Sequence, residues 1–267
     1  MKLSLTTGTY GKTPFDVALQ HISEYGFDAV EITAISGAKH HVNCAEITPT
    51  EIEALQQKLA DLKLEVAAIN GGPCGPFLED YRVPYVYKTI DLAVALGAPV
   101  VVFSSRKPPE MERYTPAELR SDLMKKMRLC GDYALGKGIK LALETEPGSH
   151  YIENPQLGLD ILEEINHPAV NYNLCVPHIL AAGENVEDII DRAGSRIVNT
   201  HISDLQDRIH KHLIPGLGNV NLPDLFARLE KIGYQGALTY DLYPYVDTPD
   251  EAASKTYEYM ARLKGHS

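Results

Sequence analysis

The chain has 267 residues, enough for one large domain or two small ones with a sizeable buried core. Its balance is acidic, 36 Asp and Glu against 25 Lys and Arg for a net charge of −11, and no Lys/Arg run appears, which argues against nucleic acid or an anionic membrane as partner. The opening MKLSLTTGTYGKTPF is too polar for a secretory leader and no 18-residue apolar span follows, so a cytoplasmic protein is expected.

In chain order, short apolar runs rich in β-branched residues alternate with longer stretches of helical period, the pattern of βα units with a parallel sheet. The runs are LSLTT (3–7), AVEIT (29–33), VAAIN (66–70), VVVFSS (100–105), KLALET (140–145), VNYNLC (170–175), IVNTHIS (197–203) and ALTYDL (237–242). Between the second and third lies TPTEIEALQQKLADL. There Thr48 predicts the N-cap, Pro49 the first helical position and Glu51 the return partner of a capping box. Gly26, Gly97, Gly138 and Gly233 each stand shortly before a run, where a helix ending in a left-handed residue needs them. Eight such units in a chain of this length predict a TIM barrel, an α/β fold closed as a single (β/α)8 domain over residues 1–267. A doubly wound sheet is the alternative, and neither a G-x-G-x-x-G nor a G-x-x-x-x-G-K-[ST] loop supports it. The four cysteines, Cys44, Cys74, Cys130 and Cys175, are far apart and form no C-x-x-C pair, which predicts reduced thiols.

In a TIM barrel the chemistry gathers at the C-terminal ends of the strands. Four consecutive runs carry polar residues there: Glu144, with Glu146 two further on; Cys175, with His178 in the following loop; His201, with Asp204 after it; and Asp241. Carboxylate, imidazole and carboxylate at one rim offer the oxygen and nitrogen donors a divalent cation takes. Each has an ordinary structural reading, a salt-bridged Glu or a hydrogen-bonded His. Their coincidence at one edge of successive strands is what points to chemistry.

The motifs LALE, the strand ending three residues before His178, NTHISD, IPGLG and GYQGALTYDL, in that order, resemble the xylose isomerase-like TIM barrels. This is the sugar isomerase and epimerase superfamily that also contains endonuclease IV type DNA-repair enzymes. EYGFDAVEI and TIDLAVALGAPVVVF extend the resemblance over nearly the whole chain. It implies a metal-dependent epimerase or isomerase of a sugar or sugar derivative, moving a proton through an enediolate between paired carboxylates. It further implies one divalent metal, Mn2+ by preference with Zn2+, Mg2+ or Co2+ as alternatives, held at Glu144, position 175, His201 and Asp241. Glu144 and Asp241 become the acid–base pair, and His178, His212 and Asp204, which completes H-x-x-D, become the residues that bind the carbohydrate. Family members are often homo-oligomers. A bond-cleaving relative, whether a lyase, a dehydratase or a deglycosidase of 3-oxo-glycosides, is the neighbouring reading, because an enediolate can also expel a β-substituent. An endonuclease IV-like or non-catalytic member fits an acidic chain poorly.

Two positions depart from the family's pattern. Cys175 stands where the resemblance expects Asp, and Asp241 where it expects Glu. Asp for Glu keeps the charge and shortens the reach by about 1.5 Å. A thiolate shifts preference from manganese or magnesium towards zinc, whereas a neutral thiol leaves three protein ligands. An alignment slipped by two residues puts Asn173 at the Asp position; Cys175 is preferred because His178 then keeps its three-residue spacing, and the reading of Cys175 as a small buried hydrophobe stays open. Elsewhere, His40 and His41 follow the second run, where a loop reaches over a barrel mouth, and His41 joins the substrate-binding candidates. NGGPCGPFLEDYR reads as a shaped rim or a long turn. Arg106 and Lys107 leave room for a phosphorylated substrate, and Tyr243 and Tyr245 flank Asp241 as stacking or packing residues.

Overall fold

Eight parallel strands close on themselves: β1 (Leu3–Thr6), β2 (Ala29–Thr33), β3 (Glu65–Asn70), β4 (Val100–Ser104), β5 (Lys140–Glu144), β6 (Val170–Cys175), β7 (Ile197–Ile202) and β8 (Leu238–Tyr240). The structure is a computed structural model and describes residues 1–35, 41–71, 82–105, 107, 111–148 and 151–265. Closure runs through β1 and β8, with Leu3 opposite Leu238 and Leu5 opposite Tyr240. A doubly wound sheet would leave those two strands as free edges, so that alternative is overturned by their pairing.

Around the barrel lie α1 (Phe15–Glu24), α2 (Pro49–Leu62), α3 (Arg82–Leu96), α4 (Pro116–Lys137), α5 (Pro155–Ile165), α6 (Val176–Ala181), α7 (Val186–Ala193), α8 (Leu222–Lys231) and α9 (Pro249–Gly265). The boundaries of α2 follow from local chemistry. The Glu51 amide donates to Thr48 Oγ1 and the Thr48 amide donates to Glu51 Oε2, so two orphan donors of the first turn are satisfied reciprocally. Thr115 and Glu118 repeat the device at α4. Gly26, Gly97, Gly138 and Gly233 all take positive φ, between 70° and 90°. The helix stops predicted from them are therefore the ones observed.

The main apolar core packs the outer faces of the strands against the helices, with Ile22, Ile32, Ile69, Ile90, Leu123 and Leu162 among its fully buried members. Inside the barrel a separate small apolar layer is made by Ala68, Val100, Val102 and Ala142. Because successive side chains alternate, the residue two positions after Ala142 that faces the same way is Glu144. The parallel register slips twice, between Val30 and Glu31 against β3 and between Tyr172 and Asn173 against β7. Ala67 and Val198 are thereby left without counterparts. The extra residues are on β3 and β7, so the alternation is interrupted there, while Glu31 on β2 and Asn173 on β6 keep the plain two-residue spacing of their own strands.

Three details differ from the sequence expectation. His178 lies in α6 rather than in a loop, because Pro177 starts a helix directly after β6. Strand β8 ends at Tyr240, one residue before Asp241, whose amide still donates to the Ile202 carbonyl at 3.1 Å. Lys107 is spent on Glu153 and on the Gly148 carbonyl. Arg106, His40, Cys74 and the Gly/Pro-rich stretch from 72 to 80 lie outside the described residues. Cys44, Cys130 and Cys175 are free and buried. Among the described residues no helix is long and apolar enough to cross a membrane.

Candidate active site

Deep in the barrel, His201 from β7 is held by both ring nitrogens. Its Nε2 stands 2.7 Å from Glu31 Oε1 of β2, and its Nδ1 2.7 Å from Glu144 Oε1 of β5. Burial alone would hold this imidazole neutral. The two carboxylates outweigh burial and raise it well above the ordinary histidine range. Three carboxamides fix the carboxylates in turn: Asn173 Nδ2 donates to Glu144 Oε1 (3.1 Å), and Asn199 Nδ2 donates to Glu31 Oε2 (2.9 Å) and to Asn173 Oδ1 (3.0 Å). Asn70 Nδ2 donates to Glu31 Oε1 (3.2 Å).

Glu31 and Asn199 belong to this buried cluster, and the sequence reading passed over them. A signal was present: Glu31 is the one charge in the strand run AVEIT, and a carboxylate that such a strand buries must have a partner. Asn173 and Cys175 face the same side of β6 because they are two apart, so strand parity could not choose between them. Both reach the same neighbours: Asn173 Nδ2 is 3.1 Å from Glu144 Oε1 and from His201 Nδ1, and Cys175 at the strand end joins Glu144 and His201 in a group whose donor atoms all lie within 4.8 Å of one another.

That buried set of one carboxylate oxygen, one imidazole nitrogen and one sulfur fits a divalent metal. The fit is strengthened by Glu31 on the far nitrogen of His201, the outer carboxylate that orients a ligating imidazole. Burial and the Glu144 charge hold the Cys175 thiol well above its ordinary value, so a cation is needed to deprotonate it. Asp241 does not fall in the same group. Its carboxylate Oδ2 is 3.3 Å from His212 Nδ1, consistent with a shorter side chain, and burial raises it above the usual carboxylate range.

The remaining candidates sit at the rim or away from it. His178 donates from Nδ1 to the Thr145 carbonyl (2.9 Å), and burial pushes it down to about 3, keeping it neutral. His212 donates from Nδ1 to the Asp241 carbonyl (2.9 Å). Tyr243, 46% exposed, covers His212 at 4.8 Å between ring centroids, and burial followed by the Asp241 charge raises its hydroxyl to about 12. Tyr245 instead packs, its hydroxyl accepting from the Ile214 amide. Asp204, implied as a substrate residue, spends both oxygens on the amides of Leu205, Gly216, Gly218 and Val220 at 2.8 to 3.0 Å. Its backbone pairs with Leu213, next to His212, so Asp204 shapes the loop that presents that histidine. A Cβ on Gly218 would meet Asp204 Oδ1 at 2.4 Å, which is why the clamp closes on glycine. His41 stacks on Phe15 and donates from Nε2 to the Thr13 carbonyl, apart from the clustered residues.

The opposite mouth holds a cavity of about 1130 Å³ bordered by Lys2, Glu65, Val100 and Gly236. Its charges Lys2 and Glu65 pair with each other in solvent. All three clusters of potential metal-ligating residues among the described residues lie instead where β5, β6 and β7 end.

The family model described as "Xylose isomerase-like TIM barrel" matches residues 19–263. A fructoselysine 3-epimerase from Shigella flexneri is 24% identical, covering 98% of each chain. Two solved structures share the fold. D-psicose 3-epimerase in the presence of D-fructose has a TM-score of 0.82 at 14% identity over 99% of each chain. The IOLI protein with a bound zinc atom has 0.81 at 18% identity over 98% of each chain.

Proposed function

The chain belongs to the xylose isomerase-like TIM-barrel family, and from that premise we propose that it is a metal-dependent epimerase or isomerase of a sugar or sugar derivative. Its relatives include a fructoselysine 3-epimerase matched over 98% of the chain and a 2-oxo-tetronate isomerase matched over 67% of it, consistent with an enzyme. The observation that carries the reading is the pair of carboxylates at the ends of β5 and β8, Glu144 and Asp241, whose charges act on one another beside a carboxylate-held His201. Glu144, Cys175 and His201 would hold the divalent metal, with Asp241 at the edge of the set, and when bound the metal supplies Lewis-acid stabilisation of negative charge on substrate oxygens. Manganese follows from the family resemblance and zinc from the sulfur donor.

Asp241 and Glu144 divide the proton work. Burial makes Asp241 reluctant to ionise in the ordinary carboxylate range, which suits it to deliver a proton to the substrate. Glu144 accepts one from the carbon beside the carbonyl, generating the enediolate. Reversal of the reaction exchanges the roles. Glu31 and the Asn173–Asn199 pair keep Glu144 and His201 in place without touching substrate, and half-exposed Tyr243 offers a ring face against which a sugar can stack.

The test is incubation in D₂O of the metal-loaded protein with a panel of ketoses and 3-oxo-glycosides. Exchange of a carbon-bound proton without loss of a group is expected, and both Glu144→Gln and Asp241→Asn should reduce it by about 10²- to 10⁴-fold. Release of a β-substituent would favour the bond-cleaving relative. No exchange with any member of the panel would count against the proposal.

A further inference from the structure

The shortest of the eight strands is β8, three residues ending at Tyr240. Asp241 therefore stands beyond the last residue pair of the seam between β1 and β8, joined to the sheet through its amide on the Ile202 carbonyl. The segment that follows it is compact. The Tyr245 amide donates to the Leu242 carbonyl and the Thr248 amide to the Tyr245 carbonyl, both at 2.9 Å, and Pro244 stiffens the turn between them. A tether at the far end of this segment is felt at its near end.

Asp250, in the first turn of α9, is such a tether. Its Oδ1 accepts from the Tyr10 hydroxyl at 2.9 Å and from His21 Nδ1 at 2.8 Å. A carboxylate only accepts, so the His21 ring carries its proton on Nδ1. Tyr10 ends the 3-10 turn Thr7–Tyr10 that follows β1, and His21 lies in α1. Two elements from the start of the chain thus converge on one oxygen from its end. Tyr10 is 0% exposed, and a hydroxyl so buried needs its acceptor. Burial first, and the Asp250 hydrogen bond second, raise that hydroxyl above the ordinary tyrosine range, so it stays a donor. Beside it, Lys12 pairs with Asp247. The 3-10 turn Thr7–Tyr10 also packs against the turn Tyr243–Tyr245, so the seam continues above the strands as side-chain contacts.

We infer that Asp250 is the positioning residue for Asp241: clamped by Tyr10 and His21, it locks the segment after β8 to the start of the chain and so sets where that carboxylate stands. The inference rests on the proposed role of Asp241 in proton delivery. Asp241 is one methylene shorter than the glutamate the family resemblance expects, which leaves it less reach to absorb a displaced backbone. A misplacement of about 1 Å costs about 10²-fold in rate. The metal candidates Glu144, Cys175 and His201 lie on β5, β6 and β7, so release of the clamp acts on Asp241 and Tyr243 and spares the metal.

The experiment compares wild type, Asp250→Ala and Asp250→Asn, each supplied with manganese chloride. Proton exchange in D₂O is followed with the panel sugar on which wild type is fastest, and backbone hydrogen–deuterium exchange is read by mass spectrometry. Alanine removes the acceptor, whereas asparagine keeps a carbonyl oxygen for Tyr10. In Asp250→Ala, kcat is expected to fall about tenfold or more, with metal affinity by chelator competition within about twofold of wild type. Asp250→Asn should recover most of the lost rate. Amides of residues 242–248 should exchange faster in Asp250→Ala, and those of β5 to β7 should not. A folded Asp250→Ala with wild-type kcat overturns the inference. So does a slow Asp250→Ala whose metal affinity falls in step or whose rate asparagine does not restore, because Asp250 is then a general support. If wild type exchanges no proton with any sugar, the proposed catalysis fails by itself; unchanged amide protection over 242–248 in Asp250→Ala separately overturns the clamp. Should Asp250→Ala not fold, Tyr10→Phe must show the same fall in kcat, and a wild-type rate there is equally fatal.

Discussion

Within the barrel, His201 is gripped on both nitrogens by the carboxylates of Glu31 and Glu144, whereas at the rim His178 and His212 are tethered on one nitrogen each by carbonyls. The first environment raises an imidazole's affinity for protons and the second, for His178, lowers it to about 3. His201 and His178 are both buried, and the difference between them lies in their carboxylates: His201 has two at 2.7 Å, which outweigh burial, whereas His178 has Glu144 at 3.7 Å and burial prevails.

The comparison can be broken most severely at the rim, by removing what shapes it. Asp204→Ala leaves four backbone amides without their acceptor, at about 1–3 kcal/mol for each that stays buried, so a loss of about 3 kcal/mol or more is expected in urea unfolding. Gly218→Ala should approach that loss, because the added Cβ meets Asp204 Oδ1 and the Leu205 carbonyl at 2.4 and 2.5 Å. An unfolding midpoint unchanged in both would mean that the loop does not depend on this clamp.

Inside the barrel the matching change is Glu31→Gln, which keeps the shape and removes one of the two charges on His201. Metal affinity should fall by about 10- to 100-fold while the fold survives, as read by competition with a chromogenic chelator. Undiminished affinity would show that Glu144 alone orients the ring.

A smaller effect sharpens the contrast through pH. His178 titrates near 6.5 in the unfolded chain and about 3 in the folded one. Between those values the unfolded state holds a proton that the native state refuses, so metal-free protein loses up to about 1.4 kcal/mol per pH unit as the pH falls through this window, and nothing from this group above it. His178→Gln should flatten the stability curve there, which urea titrations at pH 7, 6 and 5 would reveal as a narrowing difference from wild type.

The smallest effect separates the site cysteine from a packing one. Burial pushes the Cys130 thiol up to about 12. Iodoacetamide at pH 8 should therefore leave Cys130 unmodified in native protein and modify it after unfolding, as peptide mass mapping would show. Rapid native labelling would contradict its burial.

Much of the fold was legible in the residues because it rests on short-range physics. Alternation of apolar runs with helical period, the Thr48–Glu51 capping box and the glycines ahead of the strands are each decided within a few positions, and all appear where expected. At the site, strand-end position singled out Glu144, Cys175, His201 and Asp241. It did not show that Asp204 serves its own loop, or that His41 lies against Phe15. Glu31 was visible only as a charge in an apolar strand. Its partner His201 is 170 positions away, and the two meet because the pairing of β1 with β8 closes the barrel and brings the inner faces of β2 and β7 together. Local propensity and period determined the elements of this protein. Barrel closure and register, which depend on every strand at once, decided which carboxylate and which carbonyl each histidine met.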